Sequence, residues 1–253
     1  VDIGSASARR LLGGLNTVLD DGYQWLPDSS GLMVQLQPEG RTPPPESTVP
    51  TGPAIQQTGA TGEVRAIRTY QDLLANENDA ARFDHYATVQ PALVSLGGQV
   101  QHIAQPGIYL ALSLSPDGKY LLSQRVQRPY SYLVPVSGFP RVIEVLDRSG
   151  KLVHRLASLP LVEGLPTGND AVPTGPRSVS WRGDADATLV WAEAQDGGDP
   201  AREATIRDAV LSLPAPFDGK PVTLESLEEM DEDTTFGVGK VEDFTWKGLL
   251  DFS

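Results

Sequence analysis

One short pattern recurs three times along the chain: an apolar strand, a tight turn carrying Asp or Gly, and a second apolar strand. It occupies residues 23–36, 112–123 and 179–192, and a fourth copy begins at residues 244–248. Recurrence of one strand–turn–strand unit is the signature of a β-propeller, because each unit has an apolar face that only a neighbouring unit can cover. The copies start about 65 to 90 residues apart, against roughly 40–45 for compact propeller blades. A Pro-rich loop, a helical insert and long connectors account for the excess. The expectation is an all-β chain: a partial β-propeller of about four blades, with a long Pro-rich loop and a short helical insert.

Composition narrows the function. The 253 residues are 40% hydrophobic and 21% charged, enough for a sizeable core. A net charge of -13 argues against a nucleic-acid partner, which would need clustered Lys and Arg to neutralise phosphates. The chain has no cysteine, so disulfides, thiolate nucleophiles and cysteine zinc sites are excluded. No apolar run approaches the roughly 20 residues that cross a bilayer, and no membrane partner is expected. The chain opens at Val1 in turn-like sequence and ends within strand-like residues 249–252. Both ends read as cuts, so residues 1–253 are expected to be a propeller fragment of a longer protein.

Local signals place the other elements. Pro27 presets a turn and Gly31 is expected to take a positive φ. Six prolines between Gln37 and Gly62 remove ladder donors and mark a surface loop. Residues 69–75 and 78–86 read as two short helical turns, the second capped by Asn78 or Asp79; together with the Pro-rich loop they make an insert over 37–86. Gly97-Gly98 joins strand 87–96 to strand 100–103. Residues 142–146 and 152–156 form a hairpin, as do 210–213 and 221–224. The acidic run 225–233 reads as a solvated loop.

No Gly-x-Ser-x-Gly, phosphate-binding or dinucleotide-binding motif occurs in the chain, and no pair of the three histidines has metal-ligand spacing. No cofactor, metal site or catalytic residue is expected within it. The turns at Asp28 and Asp117 lack the ligand array of a calcium loop and read as turn chemistry. The more informative residues are basic and aromatic: Arg125, Arg128, Tyr130 and Tyr132 around Pro129, and Arg65 and Arg68 before Tyr70. In an acidic chain, clustered arginines either pair with some of the 33 Asp and Glu residues or offer a planar donor fork to a ligand carboxylate.

Several longer words then stand out: RTYQDLL at 68–74, YATVQ at 86–90, RPYSYLVP at 128–135, GPRSVSW at 175–181 and LVWAEAQDGGDP at 189–200. Over roughly residues 11–216 the chain resembles the propeller part of glutamyl endopeptidase-type serine peptidases, of the prolyl oligopeptidase family, known from chloroplasts and many bacteria. The resemblance implies an N-terminal propeller that gates access to a C-terminal α/β-hydrolase domain carrying the Ser/Asp/His triad. That domain would be the intramolecular partner, and peptides cleaved after Glu the substrate. No residue of this chain matches the triad motifs, so the resemblance implies a non-catalytic gate in a catalytic parent. Arg125, Arg128, Tyr130 and Arg68 are then the candidate contacts for the substrate carboxylate. A soluble protein of bacterial cytoplasm or periplasm is expected, and exposed blade faces favour self-association into homo-oligomers. The alternatives are a stand-alone propeller serving as an interaction module, or a periplasmic propeller that assists assembly.

Overall fold

A computed structural model describes residues 4, 6–46, 70, 73–165 and 171–228. They form three four-stranded antiparallel sheets and one α-helix. The first sheet contains β1 (Tyr23–Trp25), β2 (Gly31–Leu36), β3 (Gln90–Ser95) and β4 (Val100–His102). The second contains β5 (Tyr109–Leu114), β6 (Tyr120–Val126), β7 (Arg141–Asp147) and β8 (Leu152–Leu159). The third contains β9 (Arg177–Trp181), β10 (Thr188–Ala194), β11 (Ile206–Pro214) and β12 (Val222–Glu228). In each sheet the strands lie in chain order, so each is an up-and-down, blade-like meander. The architecture is all-β, as a propeller fragment would be.

The recurring pattern supplies the first two strands of every sheet. Its apolar residues explain the stacking, because alternate side chains of a strand point to opposite faces. On β6, Leu121 packs with Met33 and Leu93 of the first sheet and with Ile103, which follows β4. The next residue, Leu122, packs with Val179, Leu189 and Trp191 of the third. Both leucines are almost fully buried. A central strand covered on both faces reads as a continuous apolar run, and the edge strands β4 and β8 are correspondingly exposed.

Main-chain and side-chain hydrogen bonds also cross the two seams. Gln24 Oε1 accepts from Leu114 N at 3.3 Å. Trp181 Nε1 donates to Ser113 O at 3.0 Å, and Asp117 N donates to Asp186 O at 2.9 Å, joining the turns of neighbouring sheets. The Ser-Pro-Asp-Gly turn is wired internally: Ser115 Oγ donates to Asp117 Oδ1 at 2.6 Å, which also accepts from Lys119 N at 3.0 Å. Burial pushes the Asp117 carboxyl up, but these bonds outweigh it and hold its pKa below the usual value.

Several local expectations are corrected. Gly31 does not have a positive φ; Ser29 does, at 58°. Glycine is needed at position 31 because a Cβ there would lie 2.3 Å from the Val94 carbonyl oxygen on β3. The second helical turn is one helix, α1 (Glu77–Ala87), and its cap is Asn76, whose Oδ1 accepts from Asp79 N at 3.0 Å. Of the first turn, residues 73–75 are irregular, and residues 69, 71 and 72 lie outside the described residues. The acidic run is not all loop: Glu225 to Glu228 belong to β12, and residues 229–233 lie outside the described residues, as does the fourth copy of the pattern at 244–248. Within the Pro-rich segment, residues 37–46 are described and contain no strand or helix.

Candidate functional site

The segment that follows β6 meets helix α1. The helix lies in the sequence between β2 and β3, yet it docks on the connection from β6 to β7 in the neighbouring sheet. Phe83 and Ala87 of α1 join Ile108, Val126, Val134 and Phe139 in one apolar cluster. Tyr130 stacks on Phe139 (centroids 5.1 Å apart, planes 12°) and meets Phe83 in a T-shaped arrangement with centroids 5.2 Å apart. Such aromatic pairs each contribute about 0.5–1.5 kcal/mol beyond the area they bury.

Polar contacts orient the same docking. Arg128 forms an ion pair with Asp84 of α1, and Tyr130 donates its hydroxyl proton to the other oxygen of that carboxylate. The Arg128 guanidinium also lies over the Tyr130 ring, 4.6 Å from its centroid, a cation–π arrangement. Burial, together with the Asp84 carboxylate, pushes the Tyr130 phenol well above its ordinary pKa. Tyr132 extends the contact by donating to Glu77 Oε1 at 3.1 Å. The Arg128 side chain nevertheless keeps 51% exposure.

Arg125 occupies a different environment. It is the penultimate residue of β6, on the face turned toward the first sheet, opposite Tyr109. Buried Glu144 of β7 already accepts two bonds from Arg155, from Nε at 2.9 Å and Nη2 at 2.8 Å, both on Oε1. Arg125 Nη2 lies 4.0 Å from the other oxygen, Oε2. Two guanidinium groups thus share one carboxylate, leaving one surplus positive charge, and the Arg125 side chain is 36% exposed. Tyr109 beneath it donates its hydroxyl proton to Gln105 O at 2.7 Å; burial pushes its pKa up to about 12.

The structure therefore separates Arg125 and Arg128: one addresses Glu144, the other Asp84. Tyr130 belongs with Arg128, and Arg68 lies outside the described residues. Sequence reading missed the carboxylate partners. Glu144 carried a signal, since a lone charge inside the apolar strand 142–146 must find a partner when buried. A separate cleft of about 330 Å³ between the first two sheets is walled by Asp20, Asp21, Tyr23 and Gln35 on one side and by Leu112 and Ser113 on the other. Its acidic wall is unsuited to another carboxylate.

No family model matches the chain. A protein of Oryza sativa subsp. japonica named "Probable glutamyl endopeptidase, chloroplastic" is 40% identical over 233 residues, 90% of this chain and 25% of that protein. A protein of the same name from Arabidopsis thaliana is also 40% identical over 233 residues, 90% of this chain and 24% of that protein. The chain spans about a quarter of the length of these curated relatives. No helix among the described residues is long and apolar enough to cross a membrane. Over nine-tenths of its length, then, the chain is related to proteins named as glutamyl endopeptidases.

Proposed function

We propose that this chain is the propeller portion of a serine-type glutamyl peptidase of the prolyl oligopeptidase family, and that it gates substrate access to a hydrolase domain elsewhere in the protein. The observation that carries this reading is the 40% identity to relatives of that name over 90% of the chain. The chemistry would be acyl transfer by a Ser/His/Asp triad outside these residues. These sheets would exclude folded proteins and help line the path of an extended peptide. The same reading leaves 1–253 as one propeller unit with 37–86 as its insert.

In this reading Arg125 is the first contact for the substrate's acidic side chain. Its nearest carboxylate oxygen is 4.0 Å away, so an incoming carboxylate would gain charge-assisted hydrogen bonds without displacing one already made. Arg128 is second, because a substrate must exchange with Asp84, which Tyr130 helps to hold. Arg68 stays in the proposal on its sequence position.

The test is Arg125→Gln in the longer protein, assayed on matched peptides with Glu or Ala before the cleaved bond. A lost hydrogen bond to a charged group is worth about 1.5–3 kcal/mol, so KM for the Glu peptide should rise roughly tenfold or more, with the Ala peptide little changed. Equal changes for both peptides would remove Arg125 from the substrate path.

A further inference from the structure

The cleft between the first two sheets carries two carboxylates and is lined by no Lys, Arg or His. Chain order places its walls: residues 20–22 lead into β1, Met33 and Gln35 lie on β2, and Leu112 and Ser113 lie on β5 of the next sheet. One carboxylate oxygen of Asp20 accepts from Gly22 N at 2.6 Å, and the other accepts from the Gln35 side-chain amide. Both donors are neutral, so the charge of Asp20 stays uncompensated. Asp21 is exposed, and its side chain makes no hydrogen bond or ion pair among the described residues.

Gln35 is the second, independent observation. It lines the cleft and is only 5% exposed. Its amide nitrogen is fixed on Asp20, which leaves Oε1 as an acceptor, and no donor among the described residues reaches that oxygen. A side-chain acceptor so deeply buried normally has a partner. The rest of the wall is apolar or aromatic: Met33 and Leu112 are buried, and Tyr23 is half exposed. The volume of about 330 Å³ is at the small end of ligand sites, which run from roughly 300 to 1,000 Å³.

These features select among ligand classes. Two carboxylates repel an anion. An apolar side chain would leave Gln35 Oε1 unpaired. A metal ion lacks a ligand set, because among the described residues no three His, Asp or Glu side chains come together to hold one. A long cationic side chain meets every demand. Its methylene stem can lie along Met33 and Leu112, its head brings N–H donors to Asp20, Asp21 and Gln35 Oε1, and the Tyr23 ring offers a cation–π face. A guanidinium, with five donors in a planar fork, serves several acceptors better than an ammonium. We propose that this cleft binds the arginine side chain, and more weakly the lysine side chain, of an extended peptide. The inference rests on the proposed function in taking the ligand as a peptide. The substrate class is then one that carries a basic residue near the acidic residue at the cleaved bond.

The test is titration calorimetry of the longer protein at low salt with the blocked peptide Ac-Ala-Arg-Ala-NH2 and with the same peptide carrying citrulline, a neutral isostere of arginine. Neither contains Glu, so neither should be turned over. The arginine peptide should bind several-fold more tightly. Asp21→Asn should remove most of that difference, and it breaks no contact among the described residues. Asp218→Asn changes an exposed carboxylate outside the cleft; it alters net charge equally and should leave the difference intact. Equal binding of the two peptides, or equal losses from Asp21→Asn and Asp218→Asn, would overturn the proposal. Methylguanidinium binding as tightly as the arginine peptide would overturn a peptide as the occupant. The readout is independent of cleavage: a protein that cleaves after Glu but does not distinguish arginine from citrulline would defeat this inference alone. Arginine binding at the cleft of a protein that cleaves no Glu peptide would defeat the functional reading alone.

Discussion

Phe217→Ala is expected to destabilise the chain by about 3–5 kcal/mol, the usual cost of emptying a large aromatic site in a core. Phe217 follows β11, outside the strands, and is almost fully buried. Its ring meets Tyr120 edge-on at 5.2 Å and lies 6.1 Å from Trp181 and 6.2 Å from His154. Tyr120 and His154 belong to the second sheet, so one side chain from the β11–β12 connection fastens the seam between the second and third sheets. Phe217 does this from a left-handed backbone, φ 69°, which costs a residue with a Cβ about 1–2 kcal/mol. Alanine keeps that strain and loses the packing. Phe217→Gly loses the same packing but relieves the strain, so it should be less harmful than Phe217→Ala by about 1 kcal/mol. Urea unfolding followed by tryptophan fluorescence checks both. A Phe217→Ala loss below about 1 kcal/mol, the range of ordinary substitutions, would mean that the seam does not depend on this ring.

The second large effect is expected at Asp208. Its carboxylate is 1% exposed and accepts from Arg177 Nη2 at 2.7 Å, with the arginine side chain 10% exposed. The pair reaches from β9 to β11 over the intervening β10, where Ala192 pairs with Arg177 and Ala194 with Asp208; their small side chains leave room for the bridge. Breaking a buried ion pair by removing one partner typically costs about 3–5 kcal/mol. Asp208→Ala should fall in that range. Replacing both partners together with apolar residues, Arg177→Met with Asp208→Leu, should be close to neutral, because neither desolvation penalty is then incurred. A double variant as unstable as Asp208→Ala would show that the pair contributes more than mutual neutralisation.

These two sites mark where sequence reading stopped. The sheet-forming phrases were legible because apolar alternation and Asp- or Gly-bearing turns are local, and each of the three complete phrases forms the first two strands of a sheet. The cap of α1 was less so: Asn76, Asn78 and Asp79 are all good capping types, and only the backbone shows that Asp79 donates to Asn76. Gly31 reads locally as a turn residue, but its constraint is the Val94 carbonyl, some sixty residues away in sequence. At the candidate site, Arg125 and Arg128 were visible as residue types. Their partners were not, since any of 33 carboxylates could have served and the choice of Glu144 and Asp84 depends on strand register and helix docking.

The most direct measurement is peptidase activity of the 253-residue chain beside the longer protein, on matched peptides with Glu or Ala before the scissile bond. The account predicts cleavage by the longer protein alone, faster after Glu. Cleavage by the chain itself, or a longer protein indifferent to Glu, would contradict it.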